Sequence, residues 1–254
     1  MASPARFAAL FLALATPDAS SQPSWLKDSE QLTYALSYFH VVAGNLVLAA
    51  EAKGDTVRLS MTATSTPGFA KIFTVEDRIE SVLSRDPLSL LRQEASIAEG
   101  KRRYREELVV DPVHRIATRT RDGQERSRIA VPLPVLDTLG AIFALRALDL
   151  APGRAFLMDV VSGKEVYPLT VVVTGRQTLK IGGAKVETFV VEPRFRGGGL
   201  YKNESRLLLY VTQDPRHTPL RIVSRLPFGS LTATLLQATP DWQEVVHLKG
   251  EHEE

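Results

Sequence analysis

From residue 31 onward, apolar and polar positions alternate with a period of two, the signature of strands that bury one face. Leu32, Tyr34, Leu36 and Tyr38 open the pattern. Ala43-Gly44-Asn45 then breaks it before 46–50 resumes, which predicts a hairpin turn at that tripeptide. Val57, Leu59, Met61 and Ala63 repeat the alternation, and Thr66-Pro67-Gly68 predicts a turn. Residues 72–83 fit one long strand or two short ones, and Asp86-Pro87 turns into a strand at 88–95. Further strands follow at 101–110 and 115–121. Asp122-Gly123, the strongest hairpin signal in the chain, predicts a return strand at 124–131.

Pro132 and Pro134 end this meander, and the period then changes to 3.6. Leu136, Leu139, Ile142, Phe143 and Leu145 share one apolar arc, predicting a helix over 135–148. Asp137 falls in its first turn and Arg146 in its last, both favourable to the helix dipole. Strands return at 156–161, 166–174, 179–181, 186–192, 207–212, 220–226 and 230–236, punctuated by turn signals such as Ser162-Gly163-Lys164 and Gly182-Gly183. Around 11 or 12 strands with a single helix between them make a meander-rich antiparallel protein rather than a βαβ one. So many half-apolar strands require closure or a second layer. The expected fold is therefore mainly β, a strongly curved antiparallel sheet forming an open or partial barrel, with the helix on its concave side or plugging one end.

The N-terminus changes the picture of where the chain works. Residues 7–15 read FAALFLALA after a single Arg6. This is too short to span a bilayer, which takes roughly 20 apolar residues, but it suits the apolar region of a secretory signal. Ala13-Leu14-Ala15 offers small residues for cleavage, and 17–24 is a polar spacer; a core-packed N-terminal helix is the competing reading. The expected organisation is a signal and spacer at 1–24, one β domain at 25–240 and a charged tail at 241–254. The mature chain is then periplasmic and has no transmembrane span. The 254 residues contain no cysteine, which removes thiolate nucleophiles, thiolate metal sites and disulfides. A net charge of +2 gives no large field to draw nucleic acid.

Motifs for chemistry are sparse. No G-x-G-x-x-G or G-x-S-x-G occurs, and Gly163-Lys164 is followed by Glu165 rather than the hydroxyl of a phosphate loop. The histidines at 40, 114, 217, 247 and 252 have no compact metal spacing. No cofactor, metal or catalytic residue is therefore assigned. Asp214, Arg216 and His217 cluster where Asp-Pro-Arg also makes a good turn. The arginines between 102 and 128 are interleaved with Glu99, Glu106, Glu107, Asp111, Asp122 and Glu125, as on a charged sheet face and not a nucleic-acid patch. Arg146, on an otherwise apolar helix, needs acceptors if buried.

Three segments together resemble the bacterial exported proteins of the DUF3108 family, a domain of unknown function. They are LTYALSYFHVVAGNLVLAAE at 32–51, VLDTLGAIFALRAL at 135–148 and TQDPRHTPLRIVSRLPFGSLTATL at 212–235. The resemblance implies a curved sheet forming an incomplete barrel in the cell envelope, and no established reaction. Asp137, Arg146, Asp214 and Pro219 match it as recurrent positions of unknown role.

The functional expectation is a non-catalytic binding module for a lipid-like or hydrophobic molecule held within the curved sheet. Tyr34, Tyr38, Leu139, Ile142 and Phe143 would form the wall, and Arg146 would meet an anionic headgroup. A structural protein that lends a strand edge to an envelope protein partner is the alternative, and an enzyme with a dispersed site is a third class.

Overall fold

The computed structural model describes residues 29–195, 206–226 and 229–239. The expectations for segments 1–24 and 241–254 lie outside the described residues. Eight strands come first: β1 (Glu30–Tyr38), β2 (Val41–Lys53), β3 (Thr56–Ser65), β4 (Glu76–Arg85), β5 (Leu88–Glu99), β6 (Arg102–Asp111), β7 (Ile116–Arg121) and β8 (Gln124–Ala130). A one-turn helix, α1 (Pro67–Ala70), links β3 to β4. After α2 (Thr138–Ala144) and a 3-10 turn (Leu145–Ala147) come β9 (Ala155–Ser162), β10 (Glu165–Ile181), β11 (Ala184–Phe195), β12 (Arg206–Thr212), β13 (Pro219–Leu226) and β14 (Gly229–Thr239).

All fourteen strands form one antiparallel sheet in the order β8-β7-β6-β5-β4-β3-β2-β1-β14-β13-β12-β11-β10-β9. Consecutive strands pair in two runs, β1–β8 and β9–β14, and β1 joins the runs by pairing with β14. β8 and β9 do not pair with each other, so the barrel stays unclosed. The chain between β8 and α2 fastens part of the seam instead. The Val135 carbonyl accepts from Leu90 N–H at 2.7 Å, while Leu136 N–H donates to Asp159 on β9 at 2.9 Å. The curved sheet wraps one main apolar core against α2, and a smaller cluster joins Leu90, Leu108, Val110 and Ala117 to Val135 and Val161.

Three local expectations are corrected. The first hairpin turns at Phe39-His40, both with positive φ (46° and 67°), and not at Ala43-Gly44-Asn45. Gly44 lies inside β2, where a Cβ would come within 2.3 Å of the Thr64 carbonyl oxygen, so this glycine permits close strand approach. Residues 166–174 and 179–181 belong to one 17-residue strand, β10, because the chain passes Gly175 through a bulge instead of a turn. The helix is shorter than 135–148. Val135 and Leu136 give their backbone groups to β5 and β9, and Asp137 is the extended N-cap rather than a first-turn residue, accepting from Gly140 N–H at 2.7 Å.

Candidate functional site

The concave face has two ends of different character. At one end lie the start of β1, the turn between β12 and β13, and the 3-10 turn that follows α2. Here Arg146, 1% exposed, donates from both terminal nitrogens to Glu30 at 2.5 and 2.8 Å. Its Nε donates to the Arg216 carbonyl at 3.2 Å, and its guanidinium lies 5.5 Å from the Phe143 ring centre. The Arg146 carbonyl meets His217 Nδ1 at 2.9 Å, and the Tyr34 hydroxyl donates to the Pro219 carbonyl at 2.8 Å. Asp214 fixes the same turn by accepting from Arg216 N–H at 2.8 Å. Burial raises the Tyr34 hydroxyl's pKa well above the usual phenol range, so it stays a neutral donor. The four recurrent positions thus act in the architecture. Asp137 caps α2, Arg146 ties the helix to β1, Asp214 shapes the turn, and Pro219 receives Tyr34.

Asp137 is also buried, with Ser81 Oγ and Gln93 Nε2 donating to its Oδ2. Desolvation outweighs these donors and raises its pKa. His217 shifts the other way, because desolvation lowers it below its ordinary 6.5 and the ring is neutral near pH 7. An imidazole depressed in the fold contributes stability above the unfolded value and loses it as pH falls. Wild-type stability is therefore expected to fall relative to His217→Gln when urea melts are run from pH 7 down to pH 5. Parallel curves would contradict the placement of His217.

Toward the other end, the concave apolar side chains are only half-buried. The gradient repeats strand by strand. Leu32 and Tyr34 are enclosed but Leu36 and Tyr38 are not, and the same change runs from Leu48 to Leu46 and from Leu59 to Met61. Leu83 gives way to Ile79, Leu209 to Leu207, and Leu220 to Ile222. Ile142 and Ala144 are the half-buried apolar residues of α2, and like this set they pack against the main core. Among the described residues, these side chains form an apolar, partly uncovered wall beside α2.

The six residues singled out from sequence therefore separate. Ile142 is half-buried against the core and Tyr38 is half-buried with its ring edge-on to Phe39, while Tyr34, Leu139 and Phe143 are enclosed in the core. Arg146 sits at the plugged end against Glu30. Sequence reasoning missed Glu30, Ser81 and Gln93, and also a polar group on β6 and β7. Arg119 and Arg121 reach Glu106 at 2.5 and 2.8 Å, and Arg121 stacks 4.1 Å from the Tyr104 ring centre. Arg119 lies opposite buried Leu108, so this pair of arginines shares the concave face and is partly shielded. On the convex face a groove of about 580 Å³ mixes both signs, with Arg92 paired to Glu94 and Glu107. Among the described residues, no group of three His, Cys, Asp or Glu could hold a metal, and no helix is long and apolar enough to cross a membrane.

A sequence profile described as "Protein of unknown function (DUF3108)" matches residues 32–236, spanning both runs of strands and the helix between them. The chain belongs to the DUF3108 family. No curated protein matches the sequence. Among solved structures, the chain is similar to a beta-barrel-like protein of domain of unknown function DUF1849 from Brucella abortus. The TM-score is 0.58 at 10% identity, covering 83% of this chain and 97% of that one. At that identity the likeness concerns the fold, and it agrees with the unclosed barrel of this DUF3108 chain.

Proposed function

We propose that this protein is an exported envelope protein that holds a lipid-like or otherwise hydrophobic molecule, without catalysis. The supporting observation is the burial gradient. A sheet that only needed a dry core would cover Leu36, Leu46, Met61, Ile79, Ile142 and Ile222 as completely as it covers Leu32 and Leu59. An acyl chain laid on this wall buries about 0.8 kcal/mol per methylene, so ten contribute on the order of 8 kcal/mol. Association costs of about 4–15 kcal/mol offset much of that, which makes binding reversible and at best micromolar. Arg146 already serves Glu30, so in this reading it positions α2 beneath the wall and does not bind a headgroup. Export rests on the apolar run at 7–15. N-terminal sequencing of the protein from an envelope fraction should find a start between residues 16 and 22.

The test is displacement of a fluorescent fatty-acid probe in free solution. Wild type is expected to take it up. Ile142→Gln and Met61→Gln should each weaken uptake about 5- to 10-fold, in line with the loss of one apolar contact side chain, while leaving the melting temperature within a few degrees. If wild type takes up neither acyl probe nor envelope lipid, the binding reading fails. The strand-edge scaffold for a protein partner, for which β8 supplies an edge and β9 one that Leu136 covers only at Asp159–Val161, then stands in its place.

A further inference from the structure

We infer that the end of the sheet opposite the Arg146–Glu30 pair is a membrane-docking rim, which seats on an anionic bilayer surface. The turns at this end carry large apolar side chains that the fold does not cover. In the β1–β2 hairpin, Phe39 is 62% exposed and Val41 63%, with Val42 beside them. In the connection after α1, Ile72 is 82% exposed and Phe73 is also uncovered. Of the nine large apolar residues most exposed among those described, three lie in the two connections at this one end and two, Val41 and Val42, at the start of β2 beside them. Neighbouring turns of a monomer in water rarely cluster such residues without a surface to receive them.

The tips are held, not frayed. Phe39 and His40 are fixed in a tight left-handed turn, and the Phe39 ring covers Gly229, where a Cβ would come within 2.7 Å of it. The Phe73 ring covers Gly100 in the same way, at 2.9 Å. The Thr66 side chain caps α1, and Thr66 N–H donates to the Ala43 carbonyl at 2.9 Å, coupling the two apolar tips. Two substitution-sensitive glycines thus lie under two exposed aromatic rings, so each ring packs on a rigid base while much of its surface stays uncovered.

The choice of occupant rests on charge. Lys71 immediately precedes Ile72, and Lys101, Arg102 and Arg103 follow Gly100 under the Phe73 ring; all four are exposed. The acids nearby are exposed Glu76, half-buried Glu99, which lies opposite Arg102, and buried Asp77, which accepts from Ala98 N–H, so the four cations outnumber the acids and only Glu76 among the latter is fully exposed. Apolar tips framed by long basic side chains suit the boundary between acyl chains and anionic headgroups. They suit a second protein surface less well, because desolvating four cations there would require matching acids. This inference concerns the rim and does not depend on the ligand proposed for the concave wall, although a docked rim would turn that wall toward the lipid.

The experiment is vesicle flotation of the protein as recovered from the cell, with phosphatidylglycerol–phosphatidylethanolamine vesicles compared with pure phosphatidylcholine. Wild type is expected to float with the anionic vesicles and to release as salt rises. Ile72→Ser and Phe39→Ser should each reduce the partition coefficient about tenfold. Lys101→Glu/Arg103→Glu should reduce it at least as much on anionic vesicles and little on phosphatidylcholine. Because all four positions are exposed, circular dichroism should show folded variants. Fatty-acid probe uptake in free solution should be unchanged, which keeps a failure of the rim distinct from a failure of the concave wall. No flotation, flotation indifferent to lipid charge, or variants that float like wild type would each overturn the inference. So would a wild-type dimer that the same substitutions dissolve, because the tips would then face a second copy.

Discussion

Arg146→Met is expected to cost about 3–5 kcal/mol of stability. The guanidinium fills both oxygens of Glu30, which is itself 6% exposed, and removing it leaves a buried carboxylate with no counterion. Unfolding returns Glu30 to water, so its unpaired burial is charged wholly to the folded state. The double variant Glu30→Met/Arg146→Met is expected to recover most of the loss. It should remain about 1–2 kcal/mol below wild type, since the Arg216 carbonyl also loses its donor. Urea melts of the four proteins form a cycle with a coupling energy of at least about 2 kcal/mol. Additive single effects would show that the pair does not hold α2 to β1.

Phe143→Ala should cost about 3–5 kcal/mol and lower the melting temperature by roughly 10 °C or more. The ring is 1% exposed, sits in the main core and lies under the Arg146 guanidinium, so truncation opens a cavity and loosens the ion pair above it. Leu139→Ala, also enclosed, falls in the range of about 2–5 kcal/mol. Ile142→Ala on the same short helix should lose less than half as much, because its side chain is already half-uncovered. Thermal melts of the three variants rank the helix faces directly. If Ile142→Ala proves as damaging as Phe143→Ala, the wall beside α2 is a closed core and the proposed binding surface disappears.

Much of this protein was legible in its sequence, and the reason is local. Period-two alternation reports which side of a strand is buried, so most strands were placed from residues a few positions apart. Asp122-Gly123 set its hairpin because its left-handed backbone conformation is a property of those residues themselves, with φ of 50° and 77°. The apolar arc around Leu139 and Phe143 likewise announced a helix with one buried face. Even Glu30 was within reach. It continues the parity of Leu32 and Tyr34, so it had to face inward, where an arginine would need it.

What tertiary structure decided are the matters that depend on a partner far along the chain. Phe39-His40 carries no turn signal, and only the registration of β1 against β2 forces two bulky residues to positive φ while Gly44 goes into the strand to admit Thr64. The helix start could not be read either, because Val135 and Leu136 look helical until β5 and β9 claim their backbone groups. Arg146 could equally have been an exposed cap, and the arrival of Glu30 from 116 residues away settles its burial. The half-covered wall is the extreme case. Each of its residues obeys the same alternation as the dry core beside it, and exposure is fixed by how far a seven-residue helix reaches along the sheet. Periodicity assigns a side to each residue; coverage on that side belongs to the assembled fold.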